Sequence, residues 1–207
     1  MPVSVTDLHY VALAVPDLAA ERAFFGKMWG LVEVAEEDGK VYFAAEGVPH
    51  PYVLVLREDA ERKTDLVGFS AASKADVLAI FDQVKAAGAK IISEPGPASS
   101  PAGGFAFRFF DPDGRAMEVI CDTTPRAFRK LEKGEAIPIG ISHVVFHSPN
   151  HVGLAEFSNR HWVSARPTGS ASSWYSCAAT RHTTGWRSCR GRRRSTTSPS
   201  MSVRSTN

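Results

Sequence analysis

Residues 105–121 read FAFRFFDPDGRAMEVIC, and the punctuation of this stretch decides the fold. Phe105, Phe107 and Phe109 alternate with Ala106 and Arg108, the period of a strand with one buried face. Asp111-Pro112-Asp113-Gly114 is a turn with a physical basis: proline presets φ, and glycine accepts φ > 0. Arg115–Cys121 returns as a second strand. Working upstream, Ser73 is an N-cap with Asp76 three residues later. Val77, Ile80, Phe81 and Val84 form an apolar stripe, and Gly88 closes the helix. Thr64–Ala71 and Lys90–Ser93 are strand candidates on either side of it, with Pro95–Gly103 as a loop. The order is β-α-β-β-β.

The same order stands in front of it. Leu8–Val15 (LHYVALAV) reads as a buried strand stopped by Pro16. Asp17 can cap a helix carrying Leu18, Phe24, Phe25, Met28 and Leu31, with Gly30 where a C′ glycine belongs. Strands Val32–Glu37, Lys40–Ala45 and Tyr52–Arg57 follow, the first two joined by the hairpin signal Asp38-Gly39. A third copy opens at Ile139–Ser148 (IGISHVVFHS). With Tyr10 set against His143, Val11 meets Val144, Pro16 meets Pro149, Asp17 meets Asn150 and Phe24 meets Phe157. The expected fold is α+β, with paired βαβββ modules forming a curved mixed-sheet cup. Residues 1–121 are the complete N-terminal paired domain, 122–138 a linker, and 139–161 the start of a second domain.

The third copy loses its register after His161. Trp29-Gly30-Leu31 should recur, but Trp162-Val163-Ser164 stands there. Codons built from the third base of one residue and the first two of the next restore the pattern. His161/Trp162 then gives Leu, Trp162/Val163 gives Gly, and Val163/Ser164 permits Phe. Residues 162–207 hold eight arginines but no lysine, acid, leucine, isoleucine or phenylalanine, and 18 of their 46 residues are Ser or Thr. Such a composition cannot bury a core. The C-terminal module is therefore read as truncated or out of frame from about residue 162, the tail being disordered. The rival reading is an Arg/Ser-rich segment that binds RNA or another polyanion. Its arginines are scattered apart from Arg190 and Arg192–Arg194, so no nucleic-acid partner is expected.

No apolar run approaches the length of a membrane span, and no leader is visible. Cys121, Cys177 and Cys189 lack metal-ligand spacing. A reduced, cytoplasmic protein with no membrane partner is the expectation.

Three features carry a resemblance: the strand opening His143-Val144-Val145-Phe146, the Pro-then-cap step into a helix, and Asp111-Pro112-Asp113-Gly114…Glu118. Together they resemble the vicinal oxygen chelate superfamily of glyoxalases, bleomycin-resistance proteins and extradiol dioxygenases. The resemblance implies a metal held by a first-strand His, a His opening the fifth strand, and a closing Glu. Two imidazoles and one carboxylate hold Fe(II) or Mn(II) on one face and leave positions open for a catecholate and dioxygen. The first module has Tyr10 and Leu66 at the two His positions, and keeps only Glu118 as a metal candidate. His9, one residue from Tyr10, should face the other way. The second module has His143 as first ligand, with His147 on the same face. Its second His would come from the Thr196/Thr197 junction in the shifted frame, and its closing Glu from beyond residue 207.

An empty first module before a ligand-bearing second resembles the two-domain extradiol dioxygenases that cleave catechol-type rings. That layout implies a small aromatic substrate and a homo-oligomer, with this chain inactive as it stands. A metal-free binding protein of the bleomycin-resistance type is the alternative, followed by a glyoxalase- or epimerase-type lyase or isomerase.

Overall fold

The computed structural model describes residues 3–163, 175–179 and 200–205. Its main body is one eight-stranded sheet with the strand order β2-β3-β4-β1-β5-β8-β7-β6. The first module is β1 (Asp7–Val15), α1 (Leu18–Ala23), β2 (Val32–Glu37), β3 (Lys40–Ala44) and β4 (Leu54–Glu58). The second is β5 (Lys63–Ser70), α2 (Lys74–Ala86), β6 (Ile91–Pro97), β7 (Phe105–Phe110) and β8 (Ala116–Cys121). In each module the first strand pairs in parallel with the last, β1 with β4 and β5 with β8. The modules join through the antiparallel β1–β5 pair. The sheet is therefore continuous, mixed and curved, as an α+β paired-module fold requires.

Local chemistry sets the helices. Asp17 accepts from the Ala20 amide at 2.8 Å, and Ser73 from the Asp76 amide at 3.2 Å, each satisfying a donor the helix leaves open. Val77, Ile80, Phe81 and Val84 bury the inner face of α2. The single helix expected up to Gly30 is instead two pieces: α1 ends at Ala23 and a π-helical turn spans Phe24–Met28. The wider turn brings Phe25 and Trp29 to 5.6 Å between rings. Gly30 leaves it at φ 70°.

Strand β6 also differs from expectation. It runs through Pro95 to Pro97 with two register shifts against β7. As the edge strand it has a side without a ladder partner, where proline costs no hydrogen bond.

The sheet buries both faces. Leu8, Val11, Phe69, Phe107, Phe109, Met117 and Val119 pack with α2 in the larger apolar cluster. Tyr10, Ala12, Tyr42, Tyr52, Val55 and Leu66 form a separate one in the cup. A bulge decides which face Tyr10 takes. Leu8 pairs with Phe69, yet Tyr10 pairs with the adjacent Gly68, leaving His9 as the extra residue.

A second, three-stranded sheet has the order β10-β9-β11, from β9 (Pro138–Ser148), β10 (Tyr175–Ala179) and β11 (Ser200–Ser205). Helix α3 (His151–His161) follows β9, capped by Asn150. Trp162 is 1% exposed, with its ring 4.8 Å from Phe69 and 5.7 Å from Phe109. Its carbonyl accepts from the Val5 amide at 3.0 Å. The expectation that structure stops at 161 thus differs from the fold at Trp162 and Val163, which pack on the first domain, and at the β10 and β11 segments. Residues 164–174, 180–199 and 206–207 lie outside the described residues. No helix among the described residues is long and apolar enough to cross a membrane.

Candidate functional site

The cup centres on Glu118. This carboxylate, 3% exposed on β8, accepts from the Tyr10 hydroxyl at 2.7 Å and from Arg108 Nε at 2.6 Å. Arg108 reaches it because β7 and β8 place the two residues directly opposite each other. The charged pair forms across neighbouring strands, and the tyrosine arrives from β1 beyond β5. Burial tends to lower the Arg108 pKa, but the Glu118 charge and hydrogen bond overcome it, so the guanidinium stays charged. Tyr10 is pushed well above its ordinary range by burial first and Glu118 second, so it remains a proton donor.

Tyr10 can lie where it does because Gly68 has no side chain. A Cβ on Gly68 would overlap the Tyr10 ring. Tyr10, Tyr42 and Tyr52 then form an edge-to-face series, with ring centres 5.0 and 5.2 Å apart. The Tyr52 hydroxyl pairs with Ser100 at 2.9 Å. These rings line a cavity of about 290 Å³ together with Lys40, Arg57, Asp65, Leu66 and Arg108. Arg57 is engaged by Asp65 (Nη2–Oδ1 2.8 Å) and Asp59 (2.8 Å).

The metal the resemblance implies does not fit this cup. The first ligand position holds a phenol, the second holds aliphatic Leu66, and the carboxylate at the third has its charge met by Arg108. Among the described residues no three His, Cys, Asp or Glu side chains are grouped to hold a metal. The structure thus places the candidate ligand Glu118 in a hydrogen-bonded ion pair.

His9 departs from simple alternation. At the bulge its ring sits 5.7 Å from Tyr10, 5.3 Å from Tyr52 and 5.6 Å from His50, without lining the tyrosine-walled cavity. Nδ1 meets Ser70 Oγ at 3.0 Å, and Nε2 is buried with no hydrogen-bond partner among the described residues. Burial, then His50, pushes its pKa down to about 3, so it is neutral.

His143 occupies the position of Tyr10 in the second sheet. Val11, following Tyr10, pairs with Leu54 of the parallel neighbour; Val144, following His143, pairs with Tyr175 of its parallel neighbour. Opposite Tyr10 lies Gly68, and opposite His143 lies Ser202. In this frame the position matching Leu66 is Ser200, since Ala12 faces Leu66 and Val145 faces Ser200, rather than the Thr196/Thr197 junction expected to supply the second histidine. His143 is half-buried, and its Nδ1 lies 2.9 Å from Ser142 Oγ. His147 is exposed, and its carbonyl accepts from Arg115. Glu118 and His143 therefore belong to different sheets.

Sequence reasoning missed Arg108, Tyr42 and Tyr52. The available signal for Arg108 was a lone cation on the polar side of the FAFRFF strand, placed to pair across the Asp-Pro-Asp-Gly turn with Glu118.

The Glyoxalase/Bleomycin resistance protein/Dioxygenase superfamily model matches residues 7–119. The Mn(II)-bound glyoxalase from Novosphingobium aromaticivorans is 40% identical, with a TM-score of 0.73 over 76% of this chain and 53% of that one. An extradiol ring-cleaving dioxygenase from B. fuscum is 21% identical, with a TM-score of 0.67 over 77% of this chain and 45% of that one. Homoprotocatechuate 2,3-dioxygenase from Brevibacterium fuscum, in its anaerobic complex with 3,4-dihydroxyphenylacetate, is also 21% identical, with a TM-score of 0.66 over 75% and 50%. At that identity the two dioxygenases carry the fold alone. The chain spans about half the length of these structures. No curated protein sequence matches it.

Proposed function

This chain belongs to the glyoxalase/bleomycin resistance protein/dioxygenase superfamily, and we propose on that footing that it represents the metal-free first domain and the opening of the metal-bearing second domain of a divalent-metal enzyme. The observation that carries the reading is the repeat that sets His143 where Tyr10 stands, each in a strand that leads through a proline and a capping residue into a helix. One module has traded its first ligand position for a phenol that serves Glu118, and the next presents an imidazole there. An empty first module ahead of a ligand-bearing second favours extradiol cleavage of a catechol-type ring, with Fe(II) or Mn(II) as the metal and a small aromatic substrate. The metal would bind both oxygens of the catecholate. A specific observation favours a second reading, a glyoxalase-type isomerase or lyase: the 40% identity to a Mn(II)-bound glyoxalase.

Residues 164–207 do not themselves complete the ligand set: they contain His182 but no Asp or Glu. We read this segment as a change of frame. Composition and the codon arithmetic support that reading, and so does the helix exit. Gly30 turns the chain at φ 70° after the first helix, whereas β-branched Val163 stands at the corresponding place. A codon spanning Trp162 and Val163 restores glycine there.

Metal content and oxygen uptake with a catechol, measured on a chain continued in the alternative frame, test the proposal. Metal-dependent oxygen uptake supports the dioxygenase reading, and metal-dependent turnover of a 2-oxoaldehyde–thiol adduct without oxygen supports the glyoxalase one. Ring cleavage by the 207-residue chain itself contradicts the ligand count.

A further inference from the structure

The first cup has lost the features of a metal site but not those of a binding site. Its charges can be traced group by group. Arg57 is matched by Asp65, and Arg108 by Glu118. Lys40 lines the same cavity, and its ammonium makes no ion pair or hydrogen bond with another described residue. Arg108 gives only its Nε to Glu118, and its two terminal nitrogens bond to no described residue. Among the lining groups and Glu118, one positive charge is thus in excess and two guanidinium nitrogens keep unused donors, while Glu37 and Asp38 act on Tyr42 from outside the lining. These donors face the cavity and are open to an acceptor there.

The walls define the rest of the ligand. Tyr42 and Tyr52 present ring surfaces, and Val55, Leu66 and Ile92 supply aliphatic ones. A volume of about 290 Å³ sits at the small end of ligand pockets, which begin at roughly 300 Å³, and suits one ring.

We propose that this cup is a metal-independent site for a small aromatic monoanion, its carboxylate held by the Arg108 guanidinium and Lys40, its ring packed against Tyr42 and Tyr52. A carboxylate accepts from a guanidinium in a fixed, two-point geometry, and one negative charge neutralises the Lys40 surplus. A neutral ring leaves that half-buried charge unmatched, and an aliphatic acid leaves the tyrosine surfaces unmatched. The site lies between the two modules of the first domain, so it is distinct from any metal chemistry begun at His143.

Calorimetric titration of the 207-residue protein in EDTA tests this, with benzoate, benzamide and acetate as probes. Benzoate should bind, and the neutral amide and the ringless acid should bind roughly tenfold more weakly or worse, the equivalent of one charged hydrogen bond. K40Q should weaken benzoate several-fold while the protein stays folded. R108Q/E118Q removes both charges of the pair at once, so no lone charge is left buried, and should abolish benzoate binding. Absence of benzoate binding, equal affinity for benzamide, or benzoate affinity unchanged in both variants overturns the proposal. Because EDTA is present throughout, a failed metal reading leaves this result unaffected, and the converse also holds.

Discussion

The ring of Tyr10 lies across Gly68, in space that any other residue at position 68 would fill with its own Cβ. The two residues face each other between β1 and β5, and the contact aims the phenol at Glu118. G68A should push Tyr10 aside and break its 2.7 Å hydrogen bond. Overpacking of this kind costs about 1–3 kcal/mol. Urea denaturation should show that loss in G68A and a much smaller one when G68A is combined with Y10A, because the two sites share one volume. Additive losses would mean that the ring is not what Gly68 accommodates.

His9 gives the stability a pH dependence of defined sign. Its folded pKa, about 3, lies below the ordinary value of 6.5. The stability it confers is intact above pH 6.5 and is lost as pH falls from 6.5 towards 3. The slope approaches about 1.4 kcal/mol per pH unit once the unfolded chain is protonated. The groups facing it are Ser70, His50, Tyr10 and Tyr52, with Asp7 4.0 Å from His50. Chemical denaturation at pH 8 and pH 5 should show a larger drop for the wild type than for H9L. Equal drops would place the pH sensitivity elsewhere.

Trp162 ties the β9–α3 segment to the first domain. Its ring meets Phe69 and Phe109 beneath the large sheet, and its carbonyl holds the Val5 amide. W162A should cost about 3–5 kcal/mol, as removal of a buried aromatic does. Hydrogen exchange should quicken in β9 and α3 before it does in β5 or β7. Unchanged exchange in β9 would mean that the module docks without the tryptophan.

The Arg108–Glu118 pair predicts an asymmetric response. R108Q leaves a carboxylate, 3% exposed, with Tyr10 as its remaining partner, and should be the more damaging single change. E118Q keeps one acceptor oxygen where the carboxylate offered one to each donor, and leaves the charge on Arg108, whose side chain is 33% exposed and can turn to water. The double variant should recover part of the R108Q loss. Thermal melts of the three proteins check this. E118Q melting below R108Q would contradict the assignment of Glu118 as the more deeply buried charge.

Much of the fold could be read from residue pattern because local chemistry decides it. Asp17 and Ser73 cap their helices where expected, Asp38-Gly39 turns its hairpin with Asp38 at φ 50°, and the phenylalanines of β7 alternate into the core. The departures occur where tertiary packing overrides local preference. The bulge at His9 exists to put Leu8 and Tyr10 on opposite faces, and a strict alternation rule cannot foresee it. The edge position of β6 lets it continue through Pro95, which composition marks as loop. The site was less legible. Glu118 stands out by its place after a recognisable turn, but its partners come from strands 10 and 108 residues away. His143 could be placed through the repeat alone, and the paired registers put it opposite Ser202 in a sheet separate from Glu118.

The account turns on His143 opening a metal-bearing module whose continuation lies in another reading frame. The most direct measurement is the nucleotide sequence from the codon of Ala155 onward, read in all three frames. The account predicts a frame that gives Leu-Gly across His161–Val163, a histidine at the Thr196/Thr197 junction, and a later strand closing with glutamate. Stop codons arising at once in both alternative frames would contradict it. The basic segment would then belong to the protein, and its function would rest on the cup around Glu118.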